Sequence, residues 1–276
     1  MPSETSSSAL SPALSPRQQT RRRPFASCRA ILALILREMG SGYGRSPGGY
    51  LWAVLEPVAG IALLSMLFAA AFRTPPLGVN FPTFYASGML PFLMFNDVQS
   101  KVATSLMYSK QLLAYPTVTF IDALLARFIL NAMTQIMVAY LVFSGCLLLF
   151  ETQVTLDLPT IILSYALTAL LGLGIGTLNC FLFTRFPLLQ RAWSILMRPM
   201  FLISGIFFIF ETIPERYQVF LWWNPLVHVI GLNRRGFYAY YDATYVSVAY
   251  ICGLALICLT LGLLFLRRYH RDLLQN

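Results

Sequence analysis

The stretch Arg37-Glu-Met-Gly-Ser-Gly-Tyr-Gly-Arg-Ser-Pro-Gly-Gly-Tyr-Leu-Trp-Ala-Val-Leu-Glu-Pro57 carries the chain from a basic surface segment into its first long apolar run. Just before it, Phe25, Cys28, Leu32, Ile35, Leu36 and Met39 fall on one side of a helix, with Arg37 and Glu38 off that side. A helix patterned this way lies along a membrane surface. Gly40, Gly42 and Gly44 are expected to break it, Ser46-Pro47-Gly48-Gly49 supplies a second turn, and the apolar run starts at Tyr50. The chain therefore goes from lying on a bilayer to crossing one.

The rest of the composition agrees. Of 276 residues, 57% are hydrophobic and 11% charged, too apolar a balance for an ordinary soluble domain and one that marks a polytopic membrane protein. The net charge of +9 does not point to nucleic acid, because 16 of the 20 Lys and Arg fall in segments assigned to one side of the membrane. They act there as topology determinants and as contacts to anionic headgroups. Cys28, Cys146, Cys180, Cys252 and Cys258 are odd in number and contain no Cys-x-x-Cys pair, so they suggest small hydrophobic residues and no disulfide framework. His228 and His270 have no second ligand at metal spacing.

A helix needs about 20 mostly apolar residues to cross the hydrocarbon core. Six stretches qualify, at about 50–72, 83–107, 124–150, 160–183, 192–210 and 245–266, and the fold expected is an all-α bundle of six spans. The second is weakened by Pro91, Asn96 and Asp97, and is expected to kink. The fifth carries Arg198-Pro199, placed near its inner end with the arginine snorkelling outward. Residues 1–24, rich in Ser and Pro, form a flexible cytoplasmic tail ahead of a membrane domain over 25–276. Basic residues before span one, around Lys101, Lys110 and Arg127, around Arg185, Arg191 and Arg198, and after Arg267 put those segments and both termini in the cytoplasm.

Two connections are longer than linkage requires. The inner one, Tyr108 to Asp122, combines aromatic and basic residues and is suited to docking a soluble partner, with Tyr108, Lys110, Tyr115, Pro116 and Asp122 as candidate contacts. The outer one, Glu211 to Thr244, is too apolar for a solvated loop, and Asn224-Pro225 divides it into two short helices that could dip into the bilayer and return. Its Trp222, Trp223 and Tyr238 have two readings: interfacial anchors, or the wall of an exit path where aromatic planes stack on sugar rings.

Catalytic signatures do not occur. The chain has no Gly-x-x-x-x-Gly-Lys-Ser/Thr phosphate loop, no Gly-x-Ser-x-Gly elbow and no His-Glu-x-x-His helix, so any ATP that drives it is bound by another chain. Gly172-x-Gly174-x-Gly176 follows no strand and suits close helix packing. Charges within or beside apolar runs are functional candidates by default. Glu56 and Asp97 lie deep and serve either transport or a polar helix contact; Asp122, Arg127 and Arg198 are placed near the inner interface. Arg37, Arg45 and Arg73, at the two ends of span one, are candidates with Glu56 for contacts to an acidic substrate headgroup or its entry. A gradient-coupled transporter built on Glu56 and Asp97 is the competing class, weakened by the lack of an inverted repeat. A membrane-embedded glycolipid transferase would need an acid-base or metal constellation that the sequence does not show.

From Arg37-Glu38 through Tyr43-Gly-Arg-Ser-Pro-Gly-Gly-Tyr-Leu-Trp-Ala to Leu55-Glu56-Pro57, the chain resembles the interface helix and first span of the ABC-2 type exporter permeases, and within them the capsule polysaccharide group. Tyr115-Pro116 through Ile121-Asp122 with Leu125-Ala-Arg127 is similar to that group's coupling segment. Arg198-Pro199, Ser204-Gly205-Ile-Phe-Phe and Trp223-Asn224-Pro225-Leu226-Val-His228 resemble its fifth span and outer helices. The resemblance implies a non-catalytic homodimer joined to two separate ATP-binding subunits, which would hold ATP and Mg. It implies export of lipid-linked capsular polysaccharide across a bacterial inner membrane, with periplasmic and outer-membrane partners; O-antigen or teichoic-acid glycolipid is the alternative cargo. Gly231 departs from the family pattern, which has an acidic residue near this point, and the departure removes the expected local partner of Arg234 or Arg235.

Overall fold

Long apolar runs without helix breakers satisfy their backbone groups internally as helices, and the chain follows that rule throughout. A computed structural model describes residues 26–42, 49–110, 119–150 and 155–275. Among these residues all regular structure is helical. The order is α1 (Ala26–Gly42), α2 (Tyr50–Ala71), α3 (Phe81–Ala103), α4 (Ser105–Ser109), α5 (Phe120–Leu149), α6 (Leu158–Arg185), α7 (Pro187–Ile203), a 3-10 turn at Phe210–Thr212, α8 (Glu215–Trp222), α9 (Pro225–Phe237) and α10 (Val248–Gln275). Four helices are long and apolar enough to cross a membrane: Leu51–Ala71, Phe120–Leu149, Leu158–Arg185 and Val248–Tyr269.

The two weak expected spans differ from expectation in instructive ways. Helix α3 is not broken at Pro91; the break falls at Thr104, which separates α3 from α4. Proline lacks the N–H that would bond the carbonyl four residues back. Here that carbonyl, on Ser87, accepts instead from the Asn233 amide of α9 at 2.7 Å. Although polar for a span, α3 is the hub of the molecule: it packs against α2, α5, α6 and α9 and has 16 buried residues. Its surroundings are protein, so it needs no apolar surface toward lipid.

Helix α7 starts at Pro187 rather than Ala192 and ends at Ile203. Arg198 is therefore 11 residues into the helix, about 16 Å from its start at 1.5 Å per residue, and not near the inner end. The N-terminal helix also runs further than expected, through Gly40 to Gly42. It lies against α5, burying Leu34, while Leu32, Leu36 and Met39 remain exposed.

The glycine series in α6 packs as expected. A Cβ at Gly172 would approach Val98 to 2.9 Å, one at Gly176 would approach the Gln99 carbonyl to 2.9 Å, and one at Gly174 would collide with the Ala255 carbonyl of α10. Gly262 answers from α10, lying over the backbone of Leu178. Small residues let these backbones meet. They hold α6 between α3 and α10.

Candidate functional site

Three polar assemblies lie at different levels of the bundle. At the end where α1, α4 and the start of α5 meet, Arg127 donates from Nε to Glu38 Oε1 of α1 at 2.9 Å. Its Nη1 donates to the Lys101 carbonyl at 3.0 Å and to the Thr104 hydroxyl at 2.9 Å, where α3 ends. Its guanidinium sits 4.3 Å from the ring centroid of Tyr108, and Arg37 approaches the same ring at 5.6 Å. One arginine thus ties α1, the α3–α4 break and α5 together. A buried Arg is stable when its donors find acceptors, and here Nε and Nη1 do.

Helix α5 starts beside this junction with a capping box. The Thr119 N–H and hydroxyl donate to Asp122 Oδ2 at 3.0 and 2.8 Å, and the Asp122 N–H donates to Thr119 Oγ1 at 3.2 Å. Asp122 is 3% exposed, so its carboxylate serves the helix start. Tyr108 and Lys110 are exposed on the adjoining surface. Tyr115, Pro116 and Arg45 lie outside the described residues.

At the opposite end, α9 is buried along 11 of its 13 residues. Asn224 caps it by accepting from the Leu226 N–H at 3.0 Å and reaches the Ile203 carbonyl at 3.2 Å, joining α9 to the end of α7. Arg234 is 2% exposed, and among the described residues no carboxylate bonds it. Its two terminal nitrogens donate to the carbonyls of Ile206 and Phe208 at 2.8 Å each, and its guanidinium lies 4.3 Å from the centroid of Phe84. Gly88 of α3 makes room for this approach, since a Cβ there would stand 3.1 Å from Nη2 of Arg234. The turn receiving these bonds contains Gly205 at φ 85, in the left-handed region that favours glycine. Gly231 is explained as well: the Tyr245 hydroxyl occupies the space of any side chain there. Main-chain carbonyls take the place of the missing acid.

His228 links the neighbouring elements. Its Nε2 bonds the Trp222 carbonyl at 2.7 Å and its Nδ1 lies 3.2 Å from the Ser247 N–H. The backbone N–H can only donate, so Nδ1 accepts and Nε2 carries the proton. Trp222 donates to the Tyr245 carbonyl at 3.2 Å, Trp223 is 66% exposed, and Tyr238 is buried beside Gly78 and Tyr240.

Beside the Arg127 junction, which it meets at Thr104, a cleft of about 360 Å³ with polar side chains set in a mostly apolar wall runs between α3, the end of α6 and α7. Asn96 and Ser100 face it from α3 and Gln190, Ser194 and Arg198 from α7, each set at the three-to-four spacing of one helix face. Asp97 does not enter this cleft; Gln135 of α5 donates to its Oδ2 at 2.9 Å, making it a contact between helices. Glu56 is exposed on α2. Arg73, also exposed, borders a separate cleft at the far end of α2 with Asn80, Phe81 and Phe150. Arg37 lies in α1 against Tyr108 and Arg73 lies beyond the last residue of α2, so the structure does not bring them into one site. Among the described residues no group of three or more His, Cys, Asp or Glu could hold a metal.

A family profile described as ABC-2 type transporter matches residues 29–238. The chain belongs to the ABC-2 type transporter family. It is a membrane permease of that family, and among its curated relatives is the polysialic acid transport protein KpsM of Escherichia coli, 31% identical over 89% of this chain and 95% of the relative. The capsule polysaccharide export inner-membrane proteins CtrC of Neisseria meningitidis and BexB of Haemophilus influenzae are 26% and 23% identical, each over 88% of this chain and 92% of theirs. In this ABC-2 permease the sequence pattern placed Arg127 near the inner interface, within the stretch that resembles the group's coupling segment, and named no partner for it. Its pairing with Glu38, 89 residues away, has no local signal.

Proposed function

We propose that the chain is the permease of an ATP-driven exporter that moves lipid-linked capsular polysaccharide across a bacterial inner membrane. It acts as a homodimer with two ATP-binding subunits that carry the nucleotide and Mg. The observation that carries this reading is coverage: relatives named for polysialic acid and capsule export align with nearly the whole chain and nearly their whole length. In this reading α2, α3, α5, α6, α7 and α10 cross the bilayer and both termini are cytoplasmic. Helix α1 rests its exposed apolar face on the inner surface, and α8 and α9 form a re-entrant outer cap. The junction around Arg127 lies where the ATP-binding subunits dock, and Arg234 ties the outer cap to the end of α7. Periplasmic and outer-membrane partners continue the path.

Deleting the gene in its native host and measuring polysaccharide at the surface and inside the cell tests the proposal. Loss from the surface with accumulation inside is expected, and sugar analysis of the retained polymer tells capsule from O-antigen or teichoic-acid cargo. Unchanged polymer in both fractions would overturn the reading. The gradient-coupled alternative predicts that Glu56→Gln with Asp97→Asn abolishes transport; the permease reading predicts that export persists.

A further inference from the structure

Arg198 stands about two-thirds of the way along α7, a helix with no buried residue among those described. Charged residues at membrane depth face a cavity or a partner, because hydrocarbon solvates them poorly. Arg198 faces the polar cleft, and no Asp or Glu lines it. Among the described residues, no hydrogen bond or ion pair engages the side chains of Asn96, Gln190 or Arg198, and the Trp193 indole N–H in the same wall is buried without an acceptor. Helices α3 and α7 close on each other at Phe92 and Phe201, whose ring centroids are 5.2 Å apart. The cleft lies along the stretch of α7 that precedes this contact.

We infer that this cleft binds an anionic, hydroxyl-rich lipid headgroup. Phosphate or carboxylate oxygens accept from the Arg198 guanidinium, whose fork suits both. Sugar or glycerol hydroxyls exchange hydrogen bonds with the amides of Asn96 and Gln190, which both donate and accept. A lone small anion would leave those amides unused, and a volume of about 360 Å³ is many times that of a water. Because α7 buries none of its residues, a lipid can slide into the cleft past that helix with its chains still in the bilayer. The inference rests on the reading of α7 as a span. Two sources share this chemistry: the glycolipid cargo and a bilayer phospholipid.

The test uses the full chain in phosphatidylcholine nanodiscs titrated with phosphatidylglycerol, with phosphatidic acid, which is anionic but has no alcohol hydroxyl in its headgroup, and with neutral digalactosyl diacylglycerol. Bound lipid is counted by native mass spectrometry. Phosphatidylglycerol is expected to bind best. Arg198→Gln should weaken it about tenfold or more, the scale of one lost charge-assisted contact. Arg198→Lys should keep most of the binding and show that the fold is intact, and Asn96→Ala with Gln190→Ala should erase the preference over phosphatidic acid. Equal phosphatidylglycerol binding by the wild type and Arg198→Gln, or the same loss in an Arg216→Gln control on α8, would overturn the inference. Surface polysaccharide in cells carrying Arg198→Gln then separates the sources: its loss names the cargo, and normal surface polymer names the phospholipid. A gene deletion that leaves surface polymer unchanged would sink the export reading without touching the binding result.

Discussion

Arg127 and Glu38 show how much one buried pair can organise. The arginine's Nη1 donates to Lys101 and Thr104, so removing the Glu38 charge leaves a buried guanidinium without its carboxylate beside a helix break. Breaking a buried pair from one side costs about 3–5 kcal/mol. Glu38→Gln and Arg127→Gln should each lower the thermal unfolding temperature of the purified protein. The double variant should lose less than the sum, with a coupling of about 1 kcal/mol or more. Strict additivity would mean that the two residues act independently. The sequence shows both residues as basic or acidic neighbours of an apolar run, yet it cannot show that they meet, because the contact closes a loop of 89 residues.

At the scale of elements, the apolar runs and their breakers were legible and their partners were not. Span ends came out within a few residues for α2, α5 and α6, where composition changes sharply. Asn224-Pro225 separates α8 from α9 as expected, since Asn caps and Pro takes the first helical position. Hydropathy ranked α3 as a doubtful span, and the structure makes it the central helix of the packing; a helix enclosed by other helices is not selected for contact with lipid. The glycines of α6 carried a legible message of close packing, but not the identity of the partner. Gly174→Val forces a branched side chain against the Ala255 carbonyl of α10. Overpacking of this kind costs about 1–3 kcal/mol. The variant should unfold at lower temperature and expose α10 to proteolysis, whereas Gly253→Ala, with open space at its Cβ, should not. Equal behaviour of the two would remove the packing explanation.

Across the whole molecule, burial is uneven in a way that bears on assembly. Leu188, Ile195 and Leu202 recur every seven residues along α7 and are 75%, 66% and 58% exposed, a seam suited to a second copy of the helix. In a cysteine-free background, Ile195→Cys is therefore expected to cross-link between subunits in native membranes with a short bis-maleimide. Ile257→Cys, exposed on α10, is expected not to. Cross-linking only at Ile257 would move the dimer seam away from α7.

By itself the sequence determined that this protein lives in a bilayer and where its long apolar helices run. These follow from the transfer of each segment between water and lipid, which depends on local composition alone. Only the tertiary structure decided that α3 is the hub, that Asn233 covers the carbonyl freed by Pro91, that backbone carbonyls hold Arg234, and that Arg198 opens onto a polar cleft. Each of these depends on which distant side chain fills a given space and completes a given hydrogen bond. Packing sets that, and no local pattern of residues encodes it.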